Sequence, residues 1–159
     1  WDPNSIYTEY LSQRGRLWTQ SKDKAVLTLI NMEEALERDL ETLEPDSSLP
    51  ECQAALARCH RNLVAILEDG RMVGYITWED IWRAQREDHS EEITAKDAMK
   101  SAPARLQFGD PMELVLTQME KTGMWYLPVY DQGTWIGLVS KTKLFEAYRK
   151  QIQDLSHES

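Results

Sequence analysis

The chain repeats itself. Displacing the 159-residue sequence by 63 positions lays its second half on its first without a gap. Ile30 falls on Ile93, Leu36 on Met99, Leu43 on Leu106 and Leu49 on Met112. Leu56 then falls on Met119, Ile66 on Val129, Gly70 on Gly133, Gly74 on Gly137, Thr77 on Ser140 and Ile81 on Leu144. The glycines recur where a turn or a close backbone approach is expected. A unit this long exceeds the repeat of a solenoid, so two similar lobes are expected rather than an extended array. Lobes with matching apolar positions can cover each other's faces, and the cleft between them is the natural place for a ligand.

The bulk properties narrow the function classes. A chain this long buries roughly 70% of the surface that its unfolded form exposes, so it needs no disulfide or metal to fold. It carries 18 basic and 27 acidic residues, a net charge of -9. That balance lacks the basic footprint of a nucleic-acid binder. Residues 1–25 differ, with Arg14, Arg16, Lys22 and Lys24 against Asp2, Glu9 and Asp23. A mildly basic lead-in before an acidic body suits an anionic membrane face, and equally an ordinary solvated arm. No apolar stretch approaches the ~20 residues of a membrane span. No signal peptide is visible, the first residue is not methionine, and the chain reads as a fragment of something larger. Cys52 and Cys59 are two helical turns apart, roughly 10 Å, which is too far for a disulfide. Both lie on an apolar stripe and read as reduced core residues in a cytosolic setting.

The local patterns repeat as well. Ile6, Tyr10 and Leu11 mark one helical face, and Ala25–Ile30 reads as a short extended segment. Asn31 is an N-cap for a helix over Met32–Leu40, and Leu43 lies in a brief strand. Ser48 and Pro50 open a helix whose Leu49, Cys52, Leu56 and Cys59 form an amphipathic stripe. Leu63–Glu68 and Met72–Thr77 flank an Asp69-Gly70 hairpin turn, and Trp78–Arg86 returns to a helical pattern. A charged linker, residues 87–92, joins the copies. In the second copy Thr94 caps a short helix through Lys100, and Arg105–Phe108 is a strand. Asp110-Pro111 then starts a helix carrying Met112, Val115 and Met119, which Gly123 ends. Strands over Tyr126–Asp131 and Thr134–Ser140 flank Gln132-Gly133, and a helix from about Lys141 to Gln153 closes the copy. The fold class is therefore α/β (α+β), with helices packed on small sheets.

Two segments carry a family resemblance. One reads Leu63-Val-Ala-Ile-Leu-Glu-Asp-Gly-Arg-Met-Val-Gly-Tyr-Ile-Thr-Trp-Glu-Asp80. The other reads Tyr126-Leu-Pro-Val-Tyr-Asp-Gln-Gly-Thr-Trp-Ile-Gly-Leu-Val-Ser-Lys-Thr-Lys143. Strand, glycine turn, a second strand closing on Thr or Ser, and a helix resemble the CBS domain, here as a tandem pair over about 25–150. The resemblance implies two pseudo-twofold related domains, 26–88 and 89–153, each with a three-stranded sheet. It leaves 1–25 as a lead-in and 154–159 as a tail. The flanks are similar to the cytoplasmic tails of bacterial CLC chloride channels. The matching segments are Ser5-Ile-Tyr, Arg14-Gly-Arg-Leu, Lys22-Asp-Lys-Ala-Val-Leu-Thr-Leu, Phe108-Gly-Asp-Pro-Met-Glu, Thr122-Gly-Met-Trp and Val139-Ser-Lys-Thr-Lys-Leu-Phe-Glu-Ala-Tyr-Arg-Lys. That similarity implies a module on the cytoplasmic face of a membrane, homodimeric through its CBS helices, beneath a transmembrane chloride-transport domain of the same chain.

The resemblance implies a nucleotide site: CBS pairs in general can hold adenosine nucleotides in the clefts between copies, where the closing Thr/Ser-x-x-Asp supplies a hydroxyl and a carboxylate. Thr77 and Asp80 match that pattern. An ionised Asp can accept two hydrogen bonds from ribose hydroxyls. Asp80 also falls in the first turn of a helix, where a carboxylate is stabilised without a ligand. The second copy has Ser140 but Lys143, which cannot accept from ribose, so that cleft departs from the pattern. Lys141 and Lys143 suit a phosphate or a solvated helix start. Pseudo-symmetry adds Ala104, Arg105, Trp125, Tyr126 and Pro128 to the cleft of Asp80, with an aromatic to stack on adenine. Trp78, Trp82 and Trp135 are assigned to packing or to a dimer face, and core or dimer-interface packing is the leading alternative reading of Trp125. His60, His89 and His157 are solitary, with no metal-ligand spacing. There is no phosphate-binding Gly-rich loop and no nucleophile elbow. The expectation is thus a regulatory domain rather than an enzyme, with no required cofactor and with ATP, ADP or AMP as regulatory ligand. The rivals are a ligand-free structural dimerisation module and an energy sensor attached to a nucleotide-metabolising enzyme.

Overall fold

The computed structural model describes residues 21–87, 92–102 and 104–157, the side chains of 21–24 and 157 excepted. The lead-in motifs at 5–7 and 14–17, the helical face of Ile6, Tyr10 and Leu11, and linker residues 88–91 lie outside the described residues. The elements run α1 (Ser21–Thr28), α2 (Met32–Ala35), β1 (Leu36–Glu37), β2 (Glu41–Leu43), α3 (Leu49–Arg58), β3 (Leu63–Glu68), β4 (Arg71–Thr77) and α4 (Trp78–Glu87). They continue with α5 (Ala95–Ala98), β5 (Lys100–Ser101), β6 (Leu106–Gln107), α6 (Met112–Thr122), β7 (Tyr126–Asp131), β8 (Thr134–Ser140) and α7 (Lys141–His157). Two four-stranded sheets form, in the orders β1-β8-β7-β6 and β2-β3-β4-β5.

The short edge strands come from the opposite sequence copy. Strand β5, from the second copy, pairs antiparallel with β4 of the first through Gly74↔Ser101 and Tyr75↔Lys100. Strand β1, from the first copy, pairs antiparallel with β8 of the second through Leu36↔Val139 and Glu37↔Leu138. The chain therefore divides into two interleaved compact units. One holds the described residues within Trp1–Glu37, Leu106–Val129 and Leu138–Ser159; the other holds Arg38–Arg105 and Tyr130–Gly137. These units are a different division of the chain from the sequential copies 26–88 and 89–153, because edge pairing joins strands distant in sequence. The expected three-stranded sheets each gain a fourth strand by the same exchange.

Within the second unit, α3 supplies the crossover that a parallel pair requires. It connects β2 to β3, which pair in parallel with Glu41↔Val64 and Leu43↔Ile66 in register. The start of α3 is a capping box: Glu51 N–H donates to Ser48 Oγ, and Ser48 N–H donates to the Glu51 carboxylate. Its stripe packs into a core of Cys52, Ala55, Leu56, Val64, Ile66, Ile76 and Ile81. Strand β3 turns into β4 through Asp69-Gly70, whose φ of 52° and 77° match a type I′ hairpin. In the first unit, Leu27, Leu116, Met119, Leu127, Leu138 and Leu144 are buried. The turn before β8 repeats the hairpin geometry at Gln132-Gly133, with φ of 49° and 84°.

Several sequence expectations change. Ala25–Ile30 is not extended: its first residues belong to α1, in which Val26 and Leu27 are buried while Ala25 and Thr28 are exposed. The helix expected over Met32–Leu40 stops at Ala35, since Leu36 turns extended to pair with β8. The helix expected from Thr94 through Lys100 likewise stops at Ala98, because Lys100 pairs with β4. Strand β6 is shorter than Arg105–Phe108, and α7 runs beyond Gln153 to His157.

Candidate functional site

Strand β4 runs directly into α4, and this junction builds the second unit's polar centre. Thr77 ends the strand and Asp80 stands in the first helical turn. Both the N–H and the hydroxyl of Thr77 donate to Asp80 Oδ2, each at 2.9 Å. This is the reciprocal logic of a helix start, where a carboxylate satisfies an otherwise orphaned N–H. The other oxygen, Oδ1, accepts from Arg83 Nη2 at 2.8 Å and from Lys100 Nζ at 2.5 Å. Arg83 lies one helical turn beyond Asp80 and also donates to the Ala98 carbonyl at 3.4 Å. Lys100 arrives on β5, directly opposite Tyr75, and its ammonium lies 5.7 Å from the centre of the Tyr75 ring.

The two cations and the carboxylate differ in exposure. Asp80 has no exposed side-chain surface, whereas the Arg83 and Lys100 side chains are 39% and 38% exposed. Burial pushes the Asp80 carboxyl upward, but the bond from Lys100 and the two from Thr77 outweigh it and hold the group below the ordinary 3.8. Asp80 is therefore an ionised, buried acceptor at neutral pH.

The edge strand approaches closely because position 74 is glycine. A Cβ there would lie 2.5 Å from the Lys100 carbonyl oxygen and 2.6 Å from Met99 Sδ. Gly74 thus sets the position from which Lys100 reaches Asp80.

In the first unit the same positions carry opposite charge. Sixty-three residues from Asp80 stands Lys143, and sixty-three before Lys100 stands Glu37. Lys143 N–H donates to Ser140 Oγ at 3.1 Å, and its ammonium donates to the Leu36 carbonyl at 3.0 Å. Glu37 is buried on the strand opposite Leu138, as Lys100 stands opposite Tyr75. Burial and the charge of Glu37 both push the Tyr126 phenol upward. The buried Lys141 lies 5.4 Å from the centre of the Trp125 ring, and its N–H donates to the Trp125 carbonyl at 2.8 Å. Burial lowers the Lys141 ammonium, against the attraction of Glu120.

The sequence candidates separate accordingly. Thr77, Asp80 and Arg105 belong to the second unit, and Trp125, Tyr126 and Pro128 to the first. Thr77 and Asp80 are in direct contact. Arg105 is exposed and lies 5.3 Å from the centre of the Tyr130 ring, whose hydroxyl accepts from Met72 N–H at 2.9 Å. Tyr126 and Pro128 lie on β7, half-buried and buried. Trp78 stacks on Trp82 with centroids 6.4 Å apart, and Trp82 is 57% exposed. The Trp135 indole N–H is buried without an acceptor among the described residues. Sequence reasoning missed Arg83, Lys100 and Glu37. The signal was present in the 63-residue offset, which exchanges the signs of Asp80 and Lys100 for those of Lys143 and Glu37.

Among the described residues, no group of three or more His, Cys, Asp or Glu side chains could hold a metal ion. No helix there is long and apolar enough to cross a membrane. Cys52 and Cys59 are both free, and burial pushes the Cys52 thiol up to about 11.

Comparison with known proteins agrees with this architecture. Residues 32–85 match the family model described as CBS domain. The A-adding tRNA nucleotidyltransferase of Aquifex aeolicus is 33% identical over 84 residues, 49% of this chain. The match spans 10% of that relative's length. The solved CBS domain pair of protein MJ0100, in complex with 5′-methylthioadenosine and S-adenosyl-L-methionine, aligns at 21% identity and a TM-score of 0.63, over 75% of this chain and 99% of that one. CBSX2 in complex with AMP aligns at 18% identity and 0.60, over 76% and 94%. Residues 32–85 are thus matched as a CBS domain, and the chain has the mixed α/β fold of solved CBS-domain pairs.

Proposed function

We propose that this chain is a regulatory CBS pair that binds an adenosine nucleotide at the Asp80 centre and does no chemistry of its own. One observation carries the proposal: a buried, ionised carboxylate is bordered by Arg83 and Lys100, two half-exposed cations. A nucleotide brings a part for each, a ribose diol for the carboxylate and a phosphate for the cations. Structures of the same fold in complex with AMP and with S-adenosyl-L-methionine support the ligand class. Calorimetric titration with AMP, ADP and ATP tests it. The expected result is saturable binding that Asp80→Ala removes, and unchanged affinity in that variant would take Asp80 out of the site.

The resemblance of the flanking segments supports a host as well: the module serves a bacterial chloride channel or proton-coupled chloride antiporter, from its cytoplasmic face and as a homodimer. A ligand shifts gating there only by its difference in affinity for two arrangements of the module. Chloride flux from proteoliposomes of the full-length protein should respond to nucleotide, and Asp80→Ala should abolish the response. Two observations favour rival readings. The partial match to a tRNA nucleotidyltransferase favours a sensor attached to a nucleotide-metabolising enzyme. The saturation of Asp80 by its own chain favours a structural module without a ligand. Chloride flux that ignores every nucleotide would favour the structural module, and absence of flux would favour the enzyme-linked sensor.

A further inference from the structure

We propose that Lys100 is an internal competitor for the nucleotide site, closing the empty site by occupying Asp80 and admitting only ligands whose phosphate draws its ammonium away. The proposal rests on the nucleotide reading above and deepens it, because it names the ligand class that the site selects.

Asp80 has no surface through which a ligand could reach it while its present partners stay in place. Oδ2 is taken by the N–H and hydroxyl of Thr77, and Oδ1 by Arg83 and Lys100. Thr77 and Arg83 belong to the same strand–helix junction as Asp80. Lys100 comes from the exchanged edge strand, twenty residues away in sequence. The strand itself is held by its pairing with β4 at Gly74 and Tyr75. The side chain, in contrast, is a flexible four-carbon stem, 38% exposed, with the Tyr75 ring beside it. The Lys100 side chain, not strand β5, is the part that can leave.

What replaces it is set by charge. Drawing Lys100 away from the buried Asp80 carboxylate breaks an ion pair, and a ligand must offset that loss at both ends. Adenosine offers two hydroxyls to the carboxylate and only neutral acceptors, no counter-ion, to the displaced ammonium. A cationic sulfonium ligand would also repel that ammonium. A phosphate accepts it directly in a charge-assisted hydrogen bond while the ribose takes its place on Asp80. The site therefore selects phosphorylated adenosine ligands over uncharged or cationic ones.

Calorimetry of the whole chain with AMP and with adenosine tests this on wild type, Lys100→Met and Lys100→Arg, each first checked for cooperative unfolding. Wild type should prefer AMP by about tenfold or more, the scale of one charge-assisted contact. Lys100→Met should bind adenosine more tightly and AMP less tightly, bringing the two affinities within about threefold of each other. Lys100→Arg should keep the wild-type preference. Lys100→Gln, which retains a neutral donor, replaces the Met variant should that one not fold. A wild type with no preference, or a Lys100→Met with the wild-type preference, overturns the role of Lys100 and leaves the nucleotide reading standing. Absence of binding by both ligands to wild type and to every variant overturns the nucleotide reading together with the competitor.

Discussion

Asp80 is a charge held where water does not reach, and its chemistry follows from its four donors. Burial opposes its ionisation and the bonds from Lys100 and Thr77 favour it; the bonds prevail, so its folded pKa falls below the unfolded value near 3.8. A depressed carboxyl contributes stability that is present above the unfolded pKa and lost as pH falls through the folded one. Its share of acid sensitivity therefore appears below about pH 4. Asp80→Asn keeps the shape and removes the charge, leaving Lys100 and Arg83 without their counter-ion. Because both cations are partly exposed, the expected loss at pH 7 is about 2 kcal/mol, below the range for a fully buried pair. Urea denaturation at pH 7 and pH 3 measures it, and the variant should lose less stability than wild type on acidification. Parallel losses in the two proteins would show that Asp80 does not carry the acid transition. At this scale the sequence pointed to Thr77 and Asp80 through a motif. It could not point to Lys100 as a partner of Asp80, because nothing local says which cation meets a carboxylate twenty residues away.

At the scale of elements, the signals that were legible are those with a local cause. Hairpins over 63–77 and 126–140 follow from positive-φ turns at Asp69-Gly70 and Gln132-Gly133. Helix α3 follows from its stripe and capping box, and α6 ends at Gly123 in the left-handed conformation, φ 70°. The two-residue strands β1 and β5 have no period of their own, and each interrupts what reads locally as the continuation of a helix. Over Ala25–Ile30, where the sequence suggests a short extended segment, Val26, Leu27 and Ile30 are buried on one side and residues 25–28 are helical. Gly74 tests the edge pairing directly. Gly74→Ala would drive a methyl group into the Lys100 carbonyl, which is backbone and cannot swing aside. A loss of about 2 kcal/mol is expected in chemical denaturation, together with lost hydrogen-exchange protection at Lys100 and Ser101. Unchanged protection there would mean that β5 tolerates the added carbon.

The whole molecule is interleaved: each compact unit takes its edge strand from the other sequence copy. Residues 26–88 expressed alone would therefore lack β5, α5 and the Lys100 counter-ion to Asp80. They would also lack Ile93, Ala95 and Ala98, which complete the second unit's core. Such a fragment is expected to show no cooperative thermal transition by circular dichroism, and a sharp transition near that of the full chain would refute the need for exchange. The sequence by itself determined the duplication, through matches at one fixed offset, and the two hairpins, the main helices and the Thr77–Asp80 motif, each of which rests on residues within a few positions of one another. Tertiary structure alone decided the strand exchange and the meeting of Arg83 and Lys100 with Asp80. Those depend on pairing between segments distant in sequence, Leu36 with Val139 and Gly74 with Ser101, and on side chains meeting across a sheet edge, where a hydrogen-bonded neighbour overrides local preference.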